Sequence, residues 1–195
     1  MTVANNKPMT LEEYLDYDDG TDTHYELVDG ILTEMGAEST LNIDIAIFLI
    51  VMFARLIPTR CIHRGTEIEV EGDKANTRYP DLMVLTEDCI AALAGKKRAL
   101  ITLDMPVPAL VIEVVSSSAT DPRSRDRDYV DKRREYAQRG IPEYWIVDPM
   151  ASVIWVLKLV GQEYQEQRFT RDDQLISPGF PTLELSASQV LRAEL

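Results

Sequence analysis

The sequence predicts an α/β sandwich, a mixed central β-sheet flanked by helices, with extra hairpins toward the N- and C-terminal ends. Three observations lead there. The chain reads in the order strands, helix, strand, helix, strand. "PALVIEVVS" has the apolar content of a strand buried on both faces. Finally, no repeat, low-complexity tract or linker-like stretch divides residues 1–195, so one domain is expected.

In order along the chain, "TLEEYLDY" reads as a short amphipathic helix capped by Thr10, with glutamates in its first turn. "HYELVDGILTEM" places two short strands around Asp29-Gly30, a hairpin signal. A helix follows from about Ser39 to Leu56 and ends before Pro58. Its central run, Ile45 to Ala54, is apolar on every face, which predicts a place deep in the core or at a subunit interface. In "RGTEIEVEGD", Thr66, Ile68 and Val70 alternate with Glu67, Glu69 and Glu71 as in a half-buried strand. After a polar stretch from Gly72 to Thr77 come the strands "YPDLMVL" and "PALVIEVVS". A charged helix from about Arg125 to Arg139 ends at Gly140, and "PEYWIVD" returns as a strand. "SVIWVLKLV" and "EYQEQRFT" form a closing hairpin, and "TLELSASQVL" follows it.

Two cysteines, Cys61 and Cys89, make no disulfide framework, and "MTVANNKPMT" lacks the features of a signal peptide. The longest apolar run is too short to span a bilayer, so the expectation is a soluble cytoplasmic protein. Net charge is −13, which opposes broad electrostatic attraction to nucleic acid. Residues 123–139 are the exception, with seven basic side chains against four acidic ones.

Glu113 is the lone carboxylate in the apolar run "ALVIEVVSSS", and a lone buried carboxylate costs several kcal/mol unless something compensates it. Alternation puts Glu113 on one strand face with Val111 and Val115, opposite Leu110, Ile112 and Val114. On the preceding strand Asp81, Met83 and Leu85 share a face. Neighbouring strands would then bring Asp81 and Glu113 within a few ångströms, where a cation relieves their repulsion. Carboxylates, a backbone carbonyl and waters suit Mg²⁺ or Mn²⁺. In the following helix Asp128, Lys132 and Tyr136 recur at i, i+4, i+8 and form a stripe able to face Glu113. Two acids, a divalent metal and a lysine are the groups that phosphodiester hydrolysis needs.

"YPD" followed by "VIEVV" resembles the PD-(D/E)XK nuclease superfamily, whose fold is restriction-endonuclease-like. The longer pattern "YELVDG … YPDLMVL … LVIEVVSSSATD … DYVDKRREYAQRGIPEYWIVDP" is similar to its Uma-type bacterial branch over roughly residues 10 to 190. The resemblance implies a DNA endonuclease using Mg²⁺ or Mn²⁺, with Asp81 and Glu113 as catalytic acids and metal ligands. It implies the backbone carbonyl of Val114 as a further ligand and Glu26 as an additional acidic position. The superfamily lysine falls at Val115 in this chain. In this branch it comes from the following helix, and Lys132 is the matching residue.

Other readings compete. A structural salt bridge from Glu113 to Lys132 or Arg134 would also compensate the buried charge. Cys61, His63, Cys89 and His24 match no zinc spacing, and no nucleophile elbow or phosphate loop is present. Tyr144 and Trp145 read as core residues rather than base-stacking groups. "SSSATD" reads as a loop whose hydroxyls and Asp121 cap backbone groups. Two functions remain: a metal-dependent DNA nuclease acting as a homodimer through the apolar helix, and a non-catalytic binding or assembly module of the same fold. The acidic balance favours the second, and the full set of chemical roles favours the first.

Overall fold

The computed structural model describes residues 2–5, 7–21, 23–116 and 127–194. Strand β1 (Thr2–Asn5) precedes helix α1 (Leu11–Leu15), which a reciprocal cap closes. The Thr10 hydroxyl accepts from the Glu13 N–H at 3.1 Å, and Glu13 Oε2 accepts from the Thr10 N–H at 2.8 Å. Asp29 and Gly30 both hold positive φ, 48° and 78°, the turn geometry that suits strand twist. They join β2 (Tyr25–Val28) to β3 (Ile31–Glu34), and β1 pairs with β3 to complete a small sheet.

Helix α2 (Thr40–Phe53) starts at the Ser39 cap and ends a turn earlier than its sequence predicts. Its apolar surface divides in two. Ile45, Leu49 and Phe53 are fully buried, whereas Leu41, Ile47 and Val51 stay 40%, 50% and 46% exposed.

The chain continues through β4 (Ile62–His63), β5 (Glu67–Glu69), β6 (Thr77–Arg78), β7 (Leu82–Val84), α3 (Glu87–Leu93), β8 (Leu100–Ile101) and β9 (Leu110–Val114). A π-helical turn (Arg127–Asp131) runs into α4 (Lys132–Arg139). Gly140 ends α4 with φ at 82°, a left-handed conformation that glycine adopts without strain. Then follow β10 (Glu143–Asp148), β11 (Val153–Val160), β12 (Glu163–Phe169) and α5 (Ala187–Arg192). The loop reading of "SSSATD" with Asp121, and the first residues expected in the charged helix, lie outside the described residues.

The central sheet has the order β12-β11-β10-β9-β7-β4 and is mixed: β9 and β10 run parallel, the other pairs antiparallel. The closing hairpin β11–β12 thus forms one edge of it, and β4 the other. Alternation along β9 sorts the core as expected. Leu110, Ile112 and Val114 pack with Ile45, Leu49 and Phe53 of α2 and with Val190 of α5. Val111 and Val115 pack with Tyr136 of α4, Tyr144 and Ile146.

Strand β1, helix α3 and strand β8 are additions to the sequence reading, and two further local patterns differ from it. The polar stretch before "YPD" ends in strand β6, which pairs with β5 beside β8 in a third small sheet. Glu67, expected on the solvent side of β5, is buried. It accepts from the Tyr14 hydroxyl at 2.7 Å and from Arg98 Nε at 2.7 Å, partners that satisfy a carboxylate away from water. Among the described residues no helix is long and apolar enough to cross a membrane.

Candidate active site

Antiparallel pairing of Leu82 with Ile112 puts Asp81 just past the ladder, on the level of Glu113. Asp81 Oδ2 accepts from the Val114 N–H at 2.6 Å, which ties this carboxylate to β9. Glu113 is 3% exposed and turns toward α4. There Lys132 Nζ lies 2.8 Å from Glu113 Oε2, and the Tyr136 hydroxyl donates to Glu113 Oε1 at 2.7 Å. Asp128 Oδ1 stands 3.3 Å from the same ammonium, one helical turn away. The stripe Asp128, Lys132, Tyr136 therefore faces the strand carboxylate as its spacing predicts. Arg134, the alternative partner for Glu113, is exposed.

Glu26 joins from β2. Its Oε1 lies 3.7 Å from Lys132 Nζ and accepts the Tyr79 N–H at 3.0 Å, and its Oε2 lies 3.9 Å from Arg78. One carbonyl and two carboxylates from the predicted ligand set are thus gathered around β9, with Glu26 3.7 Å from the lysine. The Val114 carbonyl also accepts from Asn42 Nδ2 of α2 at 3.2 Å. A carbonyl has two lone pairs, so this bond leaves one acceptor position.

Burial and charge set the protonation of the group. Burial, then the repulsion of Glu113, pushes the Asp81 carboxyl well above its ordinary range. Burial carries Glu113 up to about 7, against the pull of Lys132. Burial opposes the charge on Glu26 as well, but Lys132 and Arg78 hold it below the usual carboxylate value. Lys132 loses hydration through burial, yet the carboxylates of Glu113, Asp128 and Glu26 more than compensate and keep it protonated.

Several contributors carry no signal in the local sequence. Arg78 and Glu135 form a buried fork, Nε to Oε2 at 2.8 Å and Nη2 to Oε1 at 2.6 Å, that fastens α4 beside β6. Glu38 helps to raise the Asp81 carboxyl and pairs with Arg64. Asn42 is the exception in having a signal, as a polar interruption near the start of an apolar helix. A cleft of about 650 Å³ opens beside Asp81, with His24, Glu38, Arg64 and Tyr79 in its walls.

Among the described residues no group of three or more His, Cys, Asp or Glu side chains is arranged to hold a metal ion. The donor set at β9, two carboxylates whose mutual repulsion raises Asp81 and a peptide carbonyl, nevertheless fits a hard cation. Mg²⁺ in particular binds through one or two carboxylates and keeps several waters.

Comparison with known proteins adds kinship. The family model Uma2, described as "Putative restriction endonuclease", matches residues 11–188. No curated protein matches by sequence. Among solved structures, a crystal structure described as a "putative nuclease belonging to DUF820" from Anabaena variabilis ATCC 29413 superimposes with a TM-score of 0.72. Identity is 17%, with 96% of this chain and 100% of that one covered, so the two share a fold.

Proposed function

The chain belongs to the Uma2 family, and from that membership we propose that it is a divalent-cation-dependent nuclease hydrolysing phosphodiester bonds in DNA. The observation that carries the reading is the convergence on β9 of two carboxylates and a lysine: Glu113 with Lys132 at 2.8 Å, and Asp81 held by the Val114 N–H at 2.6 Å, where a structural salt bridge needs only the first pair. Asp81, Glu113 and the Val114 carbonyl are the groups that would hold Mg²⁺ or Mn²⁺. Such an ion supplies neutralisation of phosphate oxygens and a water of lowered pKa. The chain's own groups do the positioning. The Val114 N–H fixes Asp81, and the Tyr136 hydroxyl fixes Glu113. Lys132 offers a permanent positive charge where a pentavalent phosphate gains negative charge, and its fixed location costs no reorganisation during reaction.

The test couples binding to chemistry. Mn²⁺ or Mg²⁺ is expected to raise the thermal midpoint, by roughly 2.7 kcal/mol of stabilisation at a hundredfold excess over Kd. Asp81→Asn is expected to abolish that rise, and in EDTA to unfold no earlier than wild type, because a like charge is removed. An unchanged cation response in Asp81→Asn rules out the site. Cleavage of DNA and RNA in single- and double-stranded form identifies the substrate. Net charge favours one other reading, a non-catalytic module of the same fold. Absence of both cation binding and cleavage selects it.

A further inference from the structure

Two hollows meet at one pair of rings. His24 and Tyr79 stand with ring centroids 5.0 Å apart and planes tilted by 51°. On one side lies the cleft containing Asp81 and Arg64. On the other lies a smaller hollow of about 200 Å³, with Tyr17, Tyr25, Asp18 and Asp19 in its walls. Thr23, His24 and Tyr79 line both. Tyr17 and Tyr25 meet edge to face at 5.8 Å, so a second ring pair lines the small hollow.

The ring pair is tied to the site. Tyr79 lies two residues before Asp81, and its N–H donates to Glu26 at 3.0 Å. Gly65, with φ at 86°, keeps space beside it, since a Cβ there would lie 3.1 Å from the Tyr79 hydroxyl. A hollow this small is below the roughly 300 Å³ at which whole-ligand pockets begin, which suits one planar group. The carboxylates of Asp18 and Asp19 repel phosphate; Asp19 already accepts from Thr21 and the Tyr25 hydroxyl, whereas Asp18, with Gly20 on Oδ1, keeps Oδ2 to accept from an exocyclic amino group of a base. Rings accept any base by its face.

We propose that the His24–Tyr79 ring pair binds one unpaired nucleobase of the strand whose phosphate lies at Asp81. The substrate class is then a nucleic acid with a single-stranded or extruded nucleotide at the cut. The inference rests on the nuclease reading for its ligand.

The probe is a short end-labelled strand with a single 2-aminopurine flanked by abasic residues, compared with the wholly abasic strand at low salt with Ca²⁺. Wild type is expected to bind the base-bearing strand about tenfold more tightly, the order of one stacked base, and to quench the 2-aminopurine. His24→Ala and Tyr79→Ala are expected to lose that preference, and Tyr79→Phe, which keeps the ring, to retain it. Equal affinity for the two strands in wild type, or no binding of either, overturns the proposal, as does a Tyr79→Phe variant as impaired as Tyr79→Ala. Cleavage is read separately with Mn²⁺. Cutting without base preference overturns the base site and leaves the nuclease reading standing. Base preference without cutting of any nucleic acid does the reverse.

Discussion

Lys132 keeps a full charge where only 2% of its surface meets water, and three carboxylates surround its ammonium. Removing it therefore has two separable effects. Lys132→Met is expected to lower cleavage by about 10²–10³, the usual loss of one preorganised charge, while the cation-induced thermal shift persists, because an ammonium is no ligand. Position 115 shares the Glu113 face of β9, so Val115→Lys combined with Lys132→Met is expected to recover part of the rate. Recovery stays partial because Val115 is itself packed against Tyr136 and its neighbours. Full activity in Lys132→Met alone would transfer the role to another basic residue. Glu113 and Lys132 are legible in the sequence for a simple reason. A single charge in a period-two apolar strand and a stripe at helical spacing are local patterns, and each independently points to the other. Glu38 has no such pattern, since its link to Asp81 depends on where the segment before α2 comes to rest.

At the scale of elements, α4 is aimed by its docking as much as by its own sequence. The Arg78–Glu135 fork lies on α4 within a turn of Lys132, and Asn76 Nδ2 adds a third contact to Glu135 at 3.3 Å. Arg78→Ala or Glu135→Ala leaves a buried charge without its partner and is expected to cost about 3–5 kcal/mol in urea denaturation. Arg78→Met with Glu135→Met is expected to cost less than the sum, since both charges of the fork leave together and Glu26 keeps Lys132 as its partner. Strictly additive losses would show that the two residues do not act as a pair. This fork was invisible in the sequence because its members are 57 positions apart and Arg78 lies in a stretch of ordinary polar composition. The π-helical turn was equally hidden. Its Asp128 carbonyl accepts from the Tyr144 hydroxyl at 2.9 Å, a partner supplied by β10 rather than by the helix. Strands and helices with strong periodicity were readable; β6 and β8, two residues each, are defined by their neighbours and were not.

At the scale of the whole molecule, the exposed side of α2 departs from an ordinary polar surface helix. Leu41, Ile47 and Val51 remain uncovered on the helix that the sequence marks for a subunit interface. A homodimer through this side is expected, and Ile47→Glu with Val51→Glu is expected to yield a folded monomer by sedimentation and light scattering. A wild-type monomer at all concentrations, or a dimer unaffected by the two charges, rules out this face. The origin of the site residues has a temporal consequence. Glu26, Asp81, Glu113 and Lys132 come from four separate segments, and α4 lies in the connection between the parallel strands β9 and β10. Parallel pairing closes across an intervening helix and is among the slower events in folding. While the chain emerges from the ribosome, then, every residue of the candidate site is made before the strand that completes the parallel pair. A nascent protein of this design is expected to complete the candidate site only once β10, through Asp148, is free of the exit tunnel.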